Sequence, residues 1–332
     1  MPFPTTLSAF FEQMPAQVDV YHLGRRIAPC QWEHFKAFEC EQIAWEAPFR
    51  QEARMAFVIQ ADNLAESRIW CIALPLDELG QLQFAQRDVI LRRLLEAGQH
   101  LEHAADPLKD NPLAFAPDEM TQALLHAHIC HAQHQPLSKA ARLAERYLLA
   151  PDSPQAPHWK MLSVQGVTDW VIAMDAVAIN TLAQQLSHIP DEVVGLLCRC
   201  LEHAPTDSSN LIDALRECYA SKTPPLSHAC LRAGLSSSLP AATRWVDECL
   251  AHPLDAESLA TISARGWHHL EDAERLPRFL EQLAACKAID FREALRDLAT
   301  LPRLRLPVIM ALRQAASTSA LGQRLARERL YK

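Results

Sequence analysis

Glycine is scarce and never clustered: the chain has eight, at positions 24, 80, 98, 166, 195, 234, 266 and 322. Loops that cradle phosphate need several glycines within a few residues, so that backbone amides can approach an anion and adopt positive φ. Neither a Walker A loop nor a Rossmann fingerprint can be written in this sequence, which sets aside the two standard nucleotide-binding classes. Paired cysteines are missing as well. None of the ten cysteines stands in a C-x-x-C pair, so zinc ribbons and thioredoxin-type chemistry lack their usual spacing. No G-x-S-x-G elbow marks a serine nucleophile. Long apolar runs are absent too: around Trp170 the run is cut by Asp169 and Asp175, short of the ~20 residues a membrane span needs. The first residues, MPFPTTLSAFFEQMPAQ, carry Glu12 and no cation ahead of their apolar positions, so a secretory signal is not expected. An excess of positive charge is lacking: the net charge of −8 and pI near 6.0 give no global reason to bind nucleic acid or an anionic membrane. These absences point to a cytoplasmic chain with reduced thiols, no membrane contact and no cofactor.

What is present is organised around residues 54–95. Two apolar runs of strand length, Met55–Ile59 and Ile69–Leu74, are followed there by an amphipathic helix with Leu91, Leu94 and Leu95 on one face and Arg87, Arg92, Arg93 and Glu96 on the other. Ahead of them, residues 5–14 read as a short helix, residues 17–30 as strand broken by a turn at Gly24, and residues 30–40 as a helix on Trp32, Phe35 and Phe38. Pro75 ends the second central strand because it cannot donate to a ladder.

Three stretches of this front part, VYHLGRRI (20–27), IWCIALPLDELG (69–80) and QFAQRDVILRRLLEAG (83–98), resemble an uncharacterised bacterial family, domain of unknown function 3549. The resemblance covers the whole chain, with its recognisable motifs in the first hundred residues. The family pattern implies an acid after the tyrosine, where this chain has His22, and an arginine in the turn, where it has Leu79. What the resemblance implies is a shared fold; it brings no activity with it. Among the motif residues, Arg25 and Arg26 are candidates to dock an acidic or phosphate group, and Asp77 and Glu78 to form a carboxylate pair. The structural alternative, which short charged turns usually follow, has one arginine bridging to Asp77 while Asp77 caps the turn.

With 332 residues, of which 49% are apolar, the chain is long enough for two domains of ~150 residues. The stretch ADPLKDNPLAFAPDE carries three prolines and no helical period. The expected division is therefore a module over 1–104, a linker over 105–118 and a helical-hairpin domain over 119–332. In that last part Asp118 can cap a helix over 119–135, a long run over 159–188 reads as helical, and helices separated by Pro- or Ser-rich turns follow Pro190. CLEHAP (200–205) and CLAHPL (249–254) suggest an irregular repeat with a 49-residue interval. The expected fold class is α+β: a small N-terminal antiparallel-sheet module with flanking helices, then an all-α domain of stacked helical hairpins, HEAT-like or an irregular α-solenoid.

Two further patterns bear on function. In HAHICHAQH, His126, Cys130 and His134 fall on one helix face at i, i+4 and i+8, the spacing of neighbouring metal ligands. They span ~12 Å along a helix axis, so a site needs two of them and a ligand from elsewhere, such as His100 or His103. The end of the chain is basic: from Arg292 onward the net charge is +6, against −14 for the remainder. There Arg324, Arg327 and Arg329 alternate with leucines, the pattern of a terminal helix that docks its apolar side and displays its cations. The leading expectation is a non-enzymatic interaction protein that binds another protein. A metal-dependent enzyme or sensor using residues 126–134, and an RNA- or ribosome-associated factor using the basic end, stand as alternatives.

Overall fold

The computed structural model describes residues 4–60, 67–97 and 107–328. The chain divides into two compact units, residues 1–121 with 300–302, and residues 122–299 with 303–332.

In the first unit the order is α1 (Leu7–Glu12), β1 (Gln17–Leu23), β2 (Ile27–Cys30), α2 (Trp32–Glu39), β3 (Glu52–Gln60), β4 (Arg68–Pro75) and α3 (Phe84–Ala97). The four strands pair antiparallel in the order β2-β1-β3-β4. Tyr21 lies opposite Ala56, and Ala56 opposite Cys71. Successive residues of a strand face opposite sides of a sheet, and here Met55, Phe57 and Ile59 of β3 join the core while Ala56 and Val58, on the reverse face, are also fully buried. That double burial is why β3 reads as an uninterrupted apolar run. Phe11 of α1 stacks on Phe57 with ring centroids 4.6 Å apart, and Phe35 of α2 meets the same ring edge-on at 5.3 Å. Ile90, Leu91 and Leu94 of α3 complete the cluster.

The edges of this sheet are closed by two different means. On β2, Pro29 is exposed and has no N–H to offer a further strand. Along β4, Ala73 N–H donates to the Leu113 carbonyl (2.8 Å) and Phe115 N–H to the Cys71 carbonyl (3.1 Å). Leu108 is 4% exposed. Residues 107–115, inside the stretch expected to be a linker, therefore lie along the sheet edge and protect it. Residues 61–66, His100 and His103 lie outside the described residues.

Helices follow: α4 (Glu119–Ala132), α5 (Lys139–Leu148), α6 (Val164–Ala173), α7 (Ala176–Gln185), α8 (Asp191–Leu201), α9 (Ser209–Ser221), α10 (Leu226–Leu235), α11 (Pro240–Leu250), α12 (Ala256–Ala264), α13 (Arg275–Ala285), α14 (Phe291–Thr300), α15 (Pro302–Gln314) and α16 (Ala320–Glu328). Their starts are written in the sequence. Ser138, Ser163, Asp175, Ser208 and Asp255 each accept an amide from the third residue on and cap α5, α6, α7, α9 and α12. The run over 159–188 is thus not one helix: Met174 leaves the helical conformation and Asp175 starts α7 afresh.

The helices of the second unit pack in two rows. In one row α6 meets α8, α8 meets α10 and α10 meets α12; in the other α7 meets α9, α9 meets α11 and α11 meets α13. From α6 to α13 each helix therefore packs against the one two places on, while α5 meets α6, α9 meets α10 and α13 meets α16. Small residues set the approach at two crossings. A Cβ on Gly166 would sit 2.7 Å from the Ala140 carbonyl oxygen, and one on Gly234 would enter the ring of Trp245, which is 2% exposed.

The α+β class stands: the sheet is in the first unit, and the long series of helices follows it along the chain. The expected repeat interval does not match this packing. CLEHAP ends α8, in one row, and CLAHPL ends α11, in the other. Polar ties between neighbours instead join residues 28 to 35 positions apart: Asp247 to Arg275 (28), Asn180 to Asn210 (30), Asp191 to Lys222 (31), Arg216 to Glu248 (32) and the Leu201 carbonyl to Ser236 (35). These ties span about one helix pair.

Candidate functional site

The front turn is built around Asp77. Its Oδ1 accepts the amides of Leu79 (2.7 Å) and Gln81 (2.8 Å), and Gly80 closes the turn at φ +74°, a conformation open to glycine. With that oxygen engaged by two backbone donors, Asp77 shapes the chain. Glu78 beside it is exposed. Arg25 is 3% exposed, and its Nε donates to the Pro48 carbonyl at 2.9 Å. Arg25 is thus buried while Arg26 beside it is half-buried, so the two arginines expected as a docking pair differ in exposure.

His126, Cys130 and His134 are not brought together. The Cys130 Sγ lies 3.6 Å from His126 Nε2, but helix α4 stops at Ala132 and His134 sits beyond it with φ +54°. What approaches His126 from elsewhere is α6: Gln165 Nε2 lies 3.1 Å from its Nδ1 and also donates to Asp169 (2.6 Å), which stands 3.8 Å from His126. Burial, and then Asp169, push the Cys130 thiol up, away from the thiolate a metal would need. Among the described residues no three His, Cys, Asp or Glu side chains gather in a way that could hold a metal ion.

At the basic end Arg324 is held on both sides. Its Nε donates to Glu328 (2.5 Å), and its guanidinium lies over the Phe291 ring, 5.6 Å from the centroid. Arg292 donates to the same Glu328 at 3.2 Å. These contacts clamp α16 to the start of α14. Arg327 is exposed, and Arg329 lies outside the described residues.

Buried polar groups with no local sequence signal organise the interior. In the second unit the Glu202 carboxylate, its side chain 7% exposed, accepts from Arg232 Nε (3.3 Å) and Arg265 Nε (2.7 Å). Arg232 continues to Glu257 at 3.1 Å. His269 is 4% exposed, with Nε2 3.3 Å from the Leu235 carbonyl and Nδ1 3.2 Å from Thr243 Oγ1. Both of its nitrogens are engaged, so it is a satisfied core histidine. A cleft of about 510 Å³ lies between the end of α11 and α13. It is lined by His252, Glu281, Gln282 and Cys286 among others; of these, Gln282 donates to the Leu250 and His252 carbonyls (3.1 and 2.9 Å), and Glu281 accepts the Leu321 amide at 3.1 Å.

Burial lowers His269 to about 3, with the neighbouring His268 adding to the effect, and lowers His22 of β1 to about 4, with His34 adding. Both groups take up a proton more readily when unfolded, near 6.5. Stability should therefore be level above pH 6.5 and fall as the pH drops from there toward about 4, by at most ~1.4 kcal/mol per pH unit for each group. Urea unfolding at pH 7.5, 6 and 4.5 measures this. A flat profile over that window would show that the two rings are not buried as described.

A small antiparallel sheet covered by helices, continued along the chain by short helices whose polar groups tie to one another, defines an α+β protein. The chain belongs to the protein family of unknown function DUF3549, whose model matches residues 4–328, nearly the whole chain. The likeness in the LGRRI strand and the PLDELG turn is thus one of membership. No curated protein and no solved structure matches it.

Proposed function

We propose that this chain is a non-catalytic adaptor of the bacterial cytoplasm, a helical-repeat protein that binds another protein through the outer faces of its two helix rows. The observation that carries the reading is where the polar chemistry goes. Glu202, His269, Gln282, Glu281 and Asp77 all bond neighbouring arginines, hydroxyls or backbone groups. Stacked helix pairs offer broad surfaces built for recognition. Ten free cysteines suit a reducing compartment, and no helix of the described residues is long and apolar enough to cross a membrane.

The test is affinity capture from nuclease-treated lysate with the full chain as bait, alongside elemental analysis of untagged protein. The expected result is a defined protein partner at fixed stoichiometry and no stoichiometric metal. Stoichiometric zinc or iron whose removal abolishes an activity, or capture that disappears with nuclease, would reject the adaptor reading.

A further inference from the structure

One helix displays an apolar face with nothing packed on it. Among the described residues, Leu306 (63% exposed) and Met310 (48%) are large apolar side chains left in solvent on the same face of one helix, α15. Both sit four positions apart, so they are neighbours along the helix, ~6 Å apart in rise. Phe84 and Val89, the other exposed pair within a helix, are five apart on α3 and face different ways. A solvated pair of this kind, at the spacing used by helix-in-groove and helix-on-helix contacts, marks an interaction face more often than an isolated exposed leucine does.

The charges around the pair say what would cover it. Arg303 and Arg313 lie on the same side, at i−3 from Leu306 and i+3 from Met310, and bracket the two apolar residues over ~15 Å of helix. Arg313 is exposed. Arg303 has a side chain 75% exposed and reaches only a loose 3.4 Å contact with Glu271. No acid shares this surface strip along the chain: from Leu298 to Arg327 the sequence holds five arginines and neither Asp nor Glu. In a chain of net charge −8 that is a local reversal of sign. It favours an anionic partner and repels a cationic one.

We propose that the Arg303–Leu306–Met310–Arg313 face of α15 docks an amphipathic helix of another protein that presents two apolar residues one turn apart, flanked on each side by an acidic residue. The apolar pair gives the contact its buried centre, and the arginines at its rim set orientation and association rate. A nucleic acid would meet the cations but leave Leu306 and Met310 without a partner, since neither stacks on a base. The assignment rests on the adaptor reading and narrows it to one surface and one partner chemistry.

Photo-cross-linking tests it. The full chain carrying p-benzoylphenylalanine at position 306 is expressed in its own cells, with the same group at Val177 of α7 (74% exposed) as the control site. The expected product at 306, absent at 177, is a peptide of another protein that is helical, amphipathic and carries acids about three turns apart. A synthetic copy of that peptide should bind the chain about tenfold more weakly when Arg303→Glu and Arg313→Glu are combined, and again with Leu306→Lys alone. Cross-links at 306 that lead to this same chain, to RNA, or to a segment without acids would overturn the assignment, as would none above the control. If Val177 traps a partner and Leu306 does not, the adaptor reading survives and the α15 face falls. If neither site traps a protein, both fall.

Discussion

Replacing Glu202 by alanine should destabilise the helical unit by about 3 kcal/mol or more, the scale seen when one member of a buried ion pair is removed. The reason is geometric. Glu202 follows α8 and takes Arg232 from α10 and Arg265 from the end of α12, so one carboxylate ties three successive members of a row. Without it, two guanidinium groups with side chains only 26% and 19% exposed lose the anion that offsets their partial dehydration. Arg232 keeps Glu257, so the change should fall hardest on α12. Glu202→Gln should lie between, because the amide keeps the shape but presents one N–H toward an arginine. Chemical denaturation of the three proteins measures this, and a loss under ~1 kcal/mol for the alanine variant would place the network among ordinary surface pairs.

Glu39→Ala is expected to have a comparable effect, about 3–5 kcal/mol, in the first unit. The Glu39 carboxylate is 1% exposed, at the end of α2. It accepts the backbone amides of Leu7 and Ser8 and the Ser8 hydroxyl, which are the free donors at the start of α1, with Arg87 of α3 3.8 Å away. A helix of six residues is too short to persist alone. Held by Glu39, it delivers Leu7, Phe10 and Phe11 to the core. The signal to follow is the fluorescence of Trp32, Trp45 and Trp70, which should lose its native character at lower denaturant than in the unchanged chain. Trp32 rests on Phe11 and Trp70 packs beside it, so a variant that unfolded without an early change in those tryptophans would show that α1 does not need its carboxylate cap.

These two carboxylates also show what the sequence could and could not disclose. Apolar runs of strand length placed β3 and β4, and period-3.6 patterns placed α2 and α3, because burial on one or two faces is written locally in the apolar residues. Neither Glu39 nor Glu202 has such a signature: their partners lie 31 and 63 residues away in the chain. The break at Asp175 was hidden because α6 and α7 both carry apolar residues in a nearly continuous series, and only the cap distinguishes two helices from one. Arg25 looked like a surface cation because charge is usually solvated; a carbonyl 23 positions on holds it inside. His126 and Cys130 were correctly read as neighbours, but the same spacing rule overextended to His134, which lies past the end of the helix. The two similar motifs CLEHAP and CLAHPL do not mark stacked elements, for a related reason. Similar helix ends recur in both rows, so matching motifs without knowing the row joins elements that never stack.

Stacking at every second helix has a mechanical outcome. A helix meets near neighbours, those two places away in its row and, for α9 and α10, each other across the rows, so an opening that begins at one terminus loosens the next pair without first having to break a distant one. Amide exchange should then fade inward from the outermost helices in steps, and a partner seated near one end would act as a clasp, slowing exchange most in the helices beside it.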